Sequence, residues 1–145
     1  MNPVEKLSAD DYAKVLVTIL LSAVVGHYAV QIAILMLGGH PRFEDTHSLM
    51  VNAGVTTFFL SIGWATRQVL LVSGIYLAFG LCILIPYFFA LKGTWNTWLM
   101  QIFLYTGLPT LSTATFLAVS RMAGVPARPR RIKSGERKDK RYHLG

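Results

Sequence analysis

The sequence predicts an all-α integral membrane protein, a bundle of four transmembrane helices with both termini cytoplasmic and a basic, extended C-terminal tail. Of the 145 residues, 53% are hydrophobic and only 14% are charged, and the mean hydropathy is +0.47. No carboxylate lies between Asp45 and Glu136. Apolar runs near the roughly 20 residues that a helix needs to cross a bilayer core recur along the chain. These observations indicate a multi-pass membrane protein.

The first predicted span, residues 15–37, is an apolar run of 23 residues that ends at a Gly-Gly pair. Its length covers one full crossing. Upstream, Ser8, Asp10 and Asp11 are typical of a helix N-terminus, so we expect the helix to begin ahead of the lipid. A cleaved signal peptide is disfavoured, because acidic residues precede the run and no small-residue cleavage site follows it.

The next apolar segment, residues 48–91, has 44 residues and only one internal charge, Arg67. As a single helix it would be about 66 Å long, too long for one crossing. We therefore predict a helical hairpin, with spans at 49–65 and 69–91 and a tight turn at Arg67. The first of these spans is short, so a re-entrant or interfacial segment is the alternative.

The fourth predicted span covers residues 98–120 and contains Pro109. Proline removes one helical hydrogen bond and crowds the preceding turn, so we expect a kink there. The chain then divides into a four-helix transmembrane domain, residues 1–123, and a basic cytoplasmic tail, residues 124–145.

The tail decides the predicted orientation, because Lys and Arg near helix ends favour the cytoplasmic side. It carries eight basic residues against two acidic ones, a balance of +6 within a net charge of +7. These are Arg128, Arg130, Arg131, Lys133, Arg137, Lys138, Lys140 and Arg141. With so few apolar residues, the tail is expected to be disordered and to bind anionic lipid headgroups. A partner protein, or RNA in an RNA-containing assembly, is the alternative ligand.

Three polar residues inside the predicted spans are candidates for a buried site. His27 lies near the centre of the first span, and Gln31 shares its face one turn later. On the second span, Asn52 and Thr56 are polar residues four positions apart and so share one face of the helix. Polar groups at such depth need partners and mark functional sites by default. Hydrogen bonding to a neighbouring helix is the simpler interpretation.

No cofactor, metal or catalytic activity is predicted. A bis-histidine haem within one chain is disfavoured, because the other histidines lie in loops or in the tail; a haem shared with another subunit stays open. The loop at 40–47 offers two histidines and two carboxylates, but a solvated loop explains its composition. The sole cysteine, Cys82, lies in an apolar span, where its thiolate is disfavoured. No predicted span contains the carboxylate that proton coupling would use.

Small residues recur along two spans and predict close helix packing. On the first span they are Thr18, Ser22, Gly26, Ala29 and Ala33, and on the fourth they are Thr106, Thr110 and Thr113. Such stripes serve contacts within the bundle, contacts with another subunit, or both.

These features favour a non-catalytic accessory or scaffold subunit of a larger membrane protein complex, with the small-residue faces and the basic tail as its contact surfaces. The alternative is a small channel or transporter for a neutral or anionic solute, with His27 in the route. Acidic residues near the N-terminus are unlike an Arg-rich transit peptide, which favours a bacterial inner membrane over an organellar one.

Overall fold

The structure is a computed structural model that describes residues 8–90 and 95–125, without the side chains of residues 87, 88, 90 and 95–99. Four helices make up this part of the chain: α1 (Ala9–Met36), α2 (Thr46–Thr66), α3 (Val69–Ala90) and α4 (Trp95–Met122). Each is long and apolar enough to cross a membrane, so the protein is an integral, multi-pass membrane protein, as the sequence predicts. The basic residues of the predicted tail lie outside the described residues.

Helix α1 begins with a capping box. The Ser8 hydroxyl accepts a hydrogen bond from the Asp11 backbone N–H at 3.2 Å, and the Asp11 carboxylate accepts one from the Ser8 N–H at 3.4 Å. Both bonds satisfy N–H groups that a helix start leaves without partners. The helix therefore begins at Ala9, ahead of the apolar run. At its other end the chain turns away at Gly38, where φ is 77°.

Helix α2 is longer than the predicted span 49–65, because Asp45 caps it within the polar loop. The Asp45 carboxylate accepts a hydrogen bond from the Ser48 N–H at 3.0 Å, and the helix runs for 21 residues. At 1.5 Å per residue it is about 31 Å long, enough for a full crossing. The shortness that suggested a re-entrant segment is therefore absent.

The connection between α2 and α3 is as tight as the hairpin prediction requires. Arg67 adopts a left-handed conformation with φ 63° and ψ 22°, and α3 starts at Val69. A Cβ atom built on Gly63 would lie 3.0 Å from the Val69 Cα. Glycine at this position therefore lets α3 leave the turn directly against α2.

The four helices follow chain order around the bundle. Helix α1 packs against α4 and α2, α3 packs against the same two helices, and α2 and α4 touch across the centre. We call the two ends of the bundle the turn end, with the α2–α3 turn, and the loop end, with the α1–α2 loop. Helix α4 finishes at the turn end, where Gly124 has φ 64° and Val125 is buried.

Two apolar clusters form the core. The turn-end cluster contains Val15, Ile19, Leu60, Trp64, Val69, Phe116 and Val125. The loop-end cluster contains Val30, Ile34, Tyr76 and Leu108. Within the described residues, two prolines lie inside helices. They are Pro109 in α4, where a kink is predicted from the sequence, and Pro86 in α3, where none was predicted.

The outer surface of the bundle is apolar. Large exposed side chains include Leu16, Leu20 and Ile32 on α1, Met50 and Phe58 on α2, and Leu71, Ile75 and Phe79 on α3. The charged residues of the described part lie near helix ends and in connections: Asp10, Asp11, Lys14, Arg42, Glu44, Asp45, Arg67 and Arg121. Apolar outer faces between charged ends are what a bilayer stabilises.

Candidate functional site

Polar side chains inside the bundle, beside the two apolar clusters, form a set that we call the polar layer; Tyr76 belongs both to this set and to the loop-end cluster. Each helix contributes two of its members: Ser22 and His27, Asn52 and Thr56, Ser73 and Tyr76, and Ser112 and Thr113. Thr56 and Ser112 have no exposed surface at all. Because lipid offers no hydrogen bonds, such groups depend on one another for partners.

Among the described residues, three hydrogen bonds within this layer join neighbouring helices, and two of them are between hydroxyl groups. The Thr56 hydroxyl and the Tyr76 hydroxyl are 3.0 Å apart and link α2 to α3. The Ser73 and Thr113 hydroxyls are 2.7 Å apart and link α3 to α4. The Tyr76 ring also stacks on Phe59, with ring centroids 4.4 Å apart.

His27 is the central residue of the layer and is completely buried. Its Nδ1 lies 3.3 Å from the Asn52 amide nitrogen. Since that nitrogen can only donate, Nδ1 accepts and the neutral imidazole carries its hydrogen on Nε2. Within the described part of the chain, Nε2 has no hydrogen-bond partner. A buried donor without an acceptor costs about 1–3 kcal/mol, so this nitrogen is a site where an acceptor would be stabilised.

Gln31 lies one turn from His27 and is 3% exposed. Its side-chain oxygen accepts a hydrogen bond from the Arg42 backbone N–H at 2.7 Å. The side chain thereby fastens the α1–α2 loop to α1, and its role in this contact is structural.

Asn52 connects the buried layer to the loop end. Besides its contact with His27, its amide nitrogen donates to the Ser48 hydroxyl at 3.4 Å. Ser48, Asn52 and His27 therefore form a short hydrogen-bonded chain that runs from the start of α2 to the centre of the bundle.

Two cavities lie on either side of this chain. The outer cavity, about 260 Å³ in volume, is at the loop end and is lined by Gln31, His40, Arg42, Ser48, Gln101 and Leu104, among others. The inner cavity, about 200 Å³, lies between α2, α3 and α4; Asn52, Tyr76 and Tyr105 line it together with apolar side chains. Leu104 borders both cavities.

The small-residue stripe of α1 lies partly inside the bundle. Thr18, Ser22 and Gly26 are buried, whereas Ala29 and Ala33 are half-buried. The Thr18 and Ser22 hydroxyls donate to carbonyl oxygens one turn earlier in α1.

Two of the small residues predicted on α4 form hydrogen bonds within their own helix. Thr106 donates to the Ile102 carbonyl at 2.6 Å, and Thr110 donates to the Thr106 carbonyl. The polar residues of α4 in the buried layer are Thr113, which was predicted to lie on the same stripe, and Ser112, which was not assigned to a site.

A row of small residues that the sequence analysis missed lies on the outside of α3. Gly74, Ala78 and Cys82 follow one another at intervals of four residues, and all three are exposed. A Cβ atom on Gly74 would meet nothing within 4 Å. The four-residue spacing was visible in the sequence, but which face of α3 is outermost was not.

In the described ranges, no group of three or more His, Cys, Asp and Glu side chains is arranged to hold a metal ion. No family model matches the chain, and no curated protein and no solved structure is significantly similar to it. Its function is therefore inferred from the contacts and surfaces described above.

Proposed function

We propose that the protein is a non-catalytic accessory or scaffold subunit of a larger membrane protein complex and that it binds a partner helix through the outer face of α3. The observation that carries this proposal is the exposed row of Gly74, Ala78 and Cys82. Large exposed apolar residues of α3, including Ile75 and Leu81, lie beside the row on the same side of the bundle.

The physical argument rests on how helices associate in lipid. Acyl chains are as apolar as leucine side chains, so helices gain little from leaving lipid unless their backbones pack closely. Small residues at four-residue spacing permit that approach. On α1 the equivalent row is already used, because Gly26 packs against Ser112 of α4. The row on α3 remains available to a helix from another subunit.

Orientation and location belong to the same proposal. Lys14, Arg67 and Arg121 lie at the turn end, whereas Arg42 lies at the loop end. The positive-inside rule then favours a cytoplasmic turn end, which puts both termini and the basic tail in the cytoplasm. There the tail would bind anionic lipid headgroups or an acidic partner surface. A bacterial inner membrane is the proposed location.

Ile75 makes the contact surface directly testable, since it is exposed beside the row and does not belong to it. A photoreactive amino acid incorporated in place of Ile75 should cross-link a specific partner protein in native membranes, identified by mass spectrometry. The matched control carries the same photoreactive amino acid in place of Val25, an exposed position on α1. It should yield lipid adducts and no specific partner.

Two further variants separate packing from simple proximity. Ala78→Ile fills the middle of the row and should abolish the cross-link, whereas Leu81→Ile, at an exposed neighbouring position, should preserve it. The same cross-linked proteins from both probe positions would refute the proposed surface. A cross-link only to a second copy of the chain would refute the assignment as a subunit of a larger complex.

A second candidate function is a channel or transporter for a neutral or anionic solute. It is favoured by the two cavities that meet at Leu104 beside the chain of Ser48, Asn52 and His27. Proteoliposomes would be tested for glycerol and chloride flux. His27→Ala should lower that flux, and His47→Ala, at the exposed start of α2, should not. Equal flux in both variants would remove His27 from the route.

A further inference from the structure

The inner cavity is separate from the proposed contact surface on α3 and is a candidate binding site of its own. It lies between α2, α3 and α4, whereas Gly74, Ala78 and Cys82 are on the outside of α3. Its walls are largely apolar, with Val55, Leu104 and Leu108 among them. Three side chains with polar atoms also border it: Asn52, Tyr76 and Tyr105. A pocket with apolar walls and a few placed polar groups is the usual form of a small-molecule site.

The hydrogen bonds of Asn52 define what the cavity presents to a ligand. The amide nitrogen has two hydrogens, and these are directed to His27 and to Ser48. No hydrogen bond from the described residues reaches the Asn52 carbonyl oxygen. The Tyr76 hydroxyl forms a hydrogen bond with Thr56. On Asn52, the polar atom that these bonds leave to a ligand is therefore an acceptor, Oδ1.

Access to the cavity is from the lipid side. Val51 and Val55 line it and are also 49% and 37% exposed on the outer surface of α2. Asn52 lies about 10 Å along the helix from Thr46, where α2 begins. Tyr76 and Pro109 lie deeper in the bundle. A ligand that enters from the bilayer would thus place its polar group near the loop end and its apolar part towards the centre.

We propose that the inner cavity binds a membrane-borne molecule with an apolar body and one hydroxyl group, an alcohol or a phenol. Its O–H donates to Oδ1 of Asn52, and its body packs against Val55, Leu104 and Leu108. The size is compatible, because an apolar cavity of about 150 Å³ accommodates a benzene ring. A phospholipid acyl chain is a poorer occupant, since it has no donor for Asn52.

The test uses the full chain in nanodiscs and a benzyl alcohol that carries a diazirine on its ring. Illumination should label cavity residues, chiefly on α2 and α4. Unlabelled benzyl alcohol should prevent labelling at a concentration about threefold lower than benzyl methyl ether, which cannot donate a hydrogen bond. Equal competition by the alcohol and the ether, or labelling confined to outward-facing residues, would overturn the proposal.

Substitutions in the cavity wall test whether the photolabelling occurs inside the cavity. Val55→Phe should fill the cavity and abolish labelling, whereas Ile62→Phe, at another exposed position of α2, should leave labelling unchanged. Asn52→Leu should retain labelling and remove the difference between the alcohol and the ether. If Asn52→Leu fails to fold, the competition on the natural sequence and the Val55→Phe result still decide the matter. Labelling that persists in Val55→Phe would contradict the proposed site.

Discussion

The side chain of Ser112 occupies the space that a Cβ atom on Gly26 would need. Such an atom would lie 2.9 Å from the Ser112 Cβ and 3.0 Å from its Cα, in addition to colliding with the hydroxyl. Helices α1 and α4 are therefore in backbone-level contact at this point, as small residues permit in membrane bundles. The contact lies beside His27 and helps to position the buried polar layer.

This contact predicts that Gly26→Ala destabilises the bundle. Alanine is the better helix former, but overpacking at a close contact costs about 1–3 kcal/mol. Unfolding in detergent micelles, followed by circular dichroism, would measure the loss. Gly54→Ala is the control, because a Cβ atom there meets nothing within 4 Å. It should leave stability unchanged or raise it by up to about 1 kcal/mol, because alanine favours the helix and meets no steric obstacle.

A compensating change tests the cause. Ser112→Gly combined with Gly26→Ala removes the hydroxyl and the Cβ that collide and should recover part of the lost stability. Recovery should stay incomplete, because the Ser112 Cα is itself close to the added atom. A Gly26→Ala variant as stable as the natural protein would contradict the close approach of α1 and α4.

The contact between His27 and Asn52 predicts a measurable coupling energy. A double-mutant cycle with His27→Leu and Asn52→Leu isolates the pair from the other interactions of each residue. Interhelical hydrogen bonds in membranes average about 0.6 kcal/mol, so we expect a coupling of that order. The free energies of unfolding of the four proteins would be measured in the same detergent. Strict additivity would show that the 3.3 Å contact contributes nothing to stability.

Substitutions of Tyr76 should lower stability in two steps, because its ring stacks on Phe59 and its hydroxyl forms a hydrogen bond with Thr56. Tyr76→Phe keeps the stacked ring and leaves the Thr56 hydroxyl without its partner, so the loss should be about 0.5–1.5 kcal/mol. Tyr76→Leu removes the stacking as well and should be clearly less stable. Unfolding midpoints of the two variants give the order. Equal losses would mean that the aromatic stacking is unimportant.

The spans were predictable because apolar composition over many residues is a strong signal, whereas contacts between spans were not. The sequence identifies His27 and Asn52 as buried polar residues, but they meet only because α1 and α2 pack in one particular register. Ser112 and Tyr76 were not predicted to belong to the layer, since isolated Ser and Tyr residues also occur on lipid-facing or interfacial surfaces. The start of α2 was missed because hydropathy does not report a capping residue such as Asp45.

Asp45 stabilises the start of α2 as its N-cap, and this effect can be measured separately from its ion pair with Arg42. Asp45→Ala removes the acceptor for the Ser48 N–H and should cost about 1 kcal/mol. Asp45→Asn keeps an N-cap oxygen and removes the charge that lies 3.8 Å from Arg42. Exposed ion pairs contribute little, so the asparagine variant should remain close to the natural protein. Thermal unfolding of both variants distinguishes the cap from the ion pair; equal losses would assign the effect to the charge.

The proposed orientation predicts opposite accessibility of two exposed connections. In a Cys82→Ala background, Glu44→Cys at the loop end should react with a membrane-impermeant maleimide added to intact bacterial cells. Gln68→Cys at the turn end should react only after the cells are opened. Both positions are exposed in the structure, so burial does not explain a difference between them. The reverse pattern would place the turn end outside.

Neutralising the tail extends the orientation test. Replacing its eight basic residues by glutamine would leave, among the described residues, Lys14, Arg67 and Arg121 at the turn end and Arg42 at the loop end. The imbalance in Lys and Arg would then be small, and since this imbalance sets orientation, part of the population should insert the other way. The labelling pair above would detect that fraction as Gln68→Cys reactivity in intact cells. Unchanged labelling would show that the helix-proximal charges alone determine the orientation and that the tail's charge has another purpose.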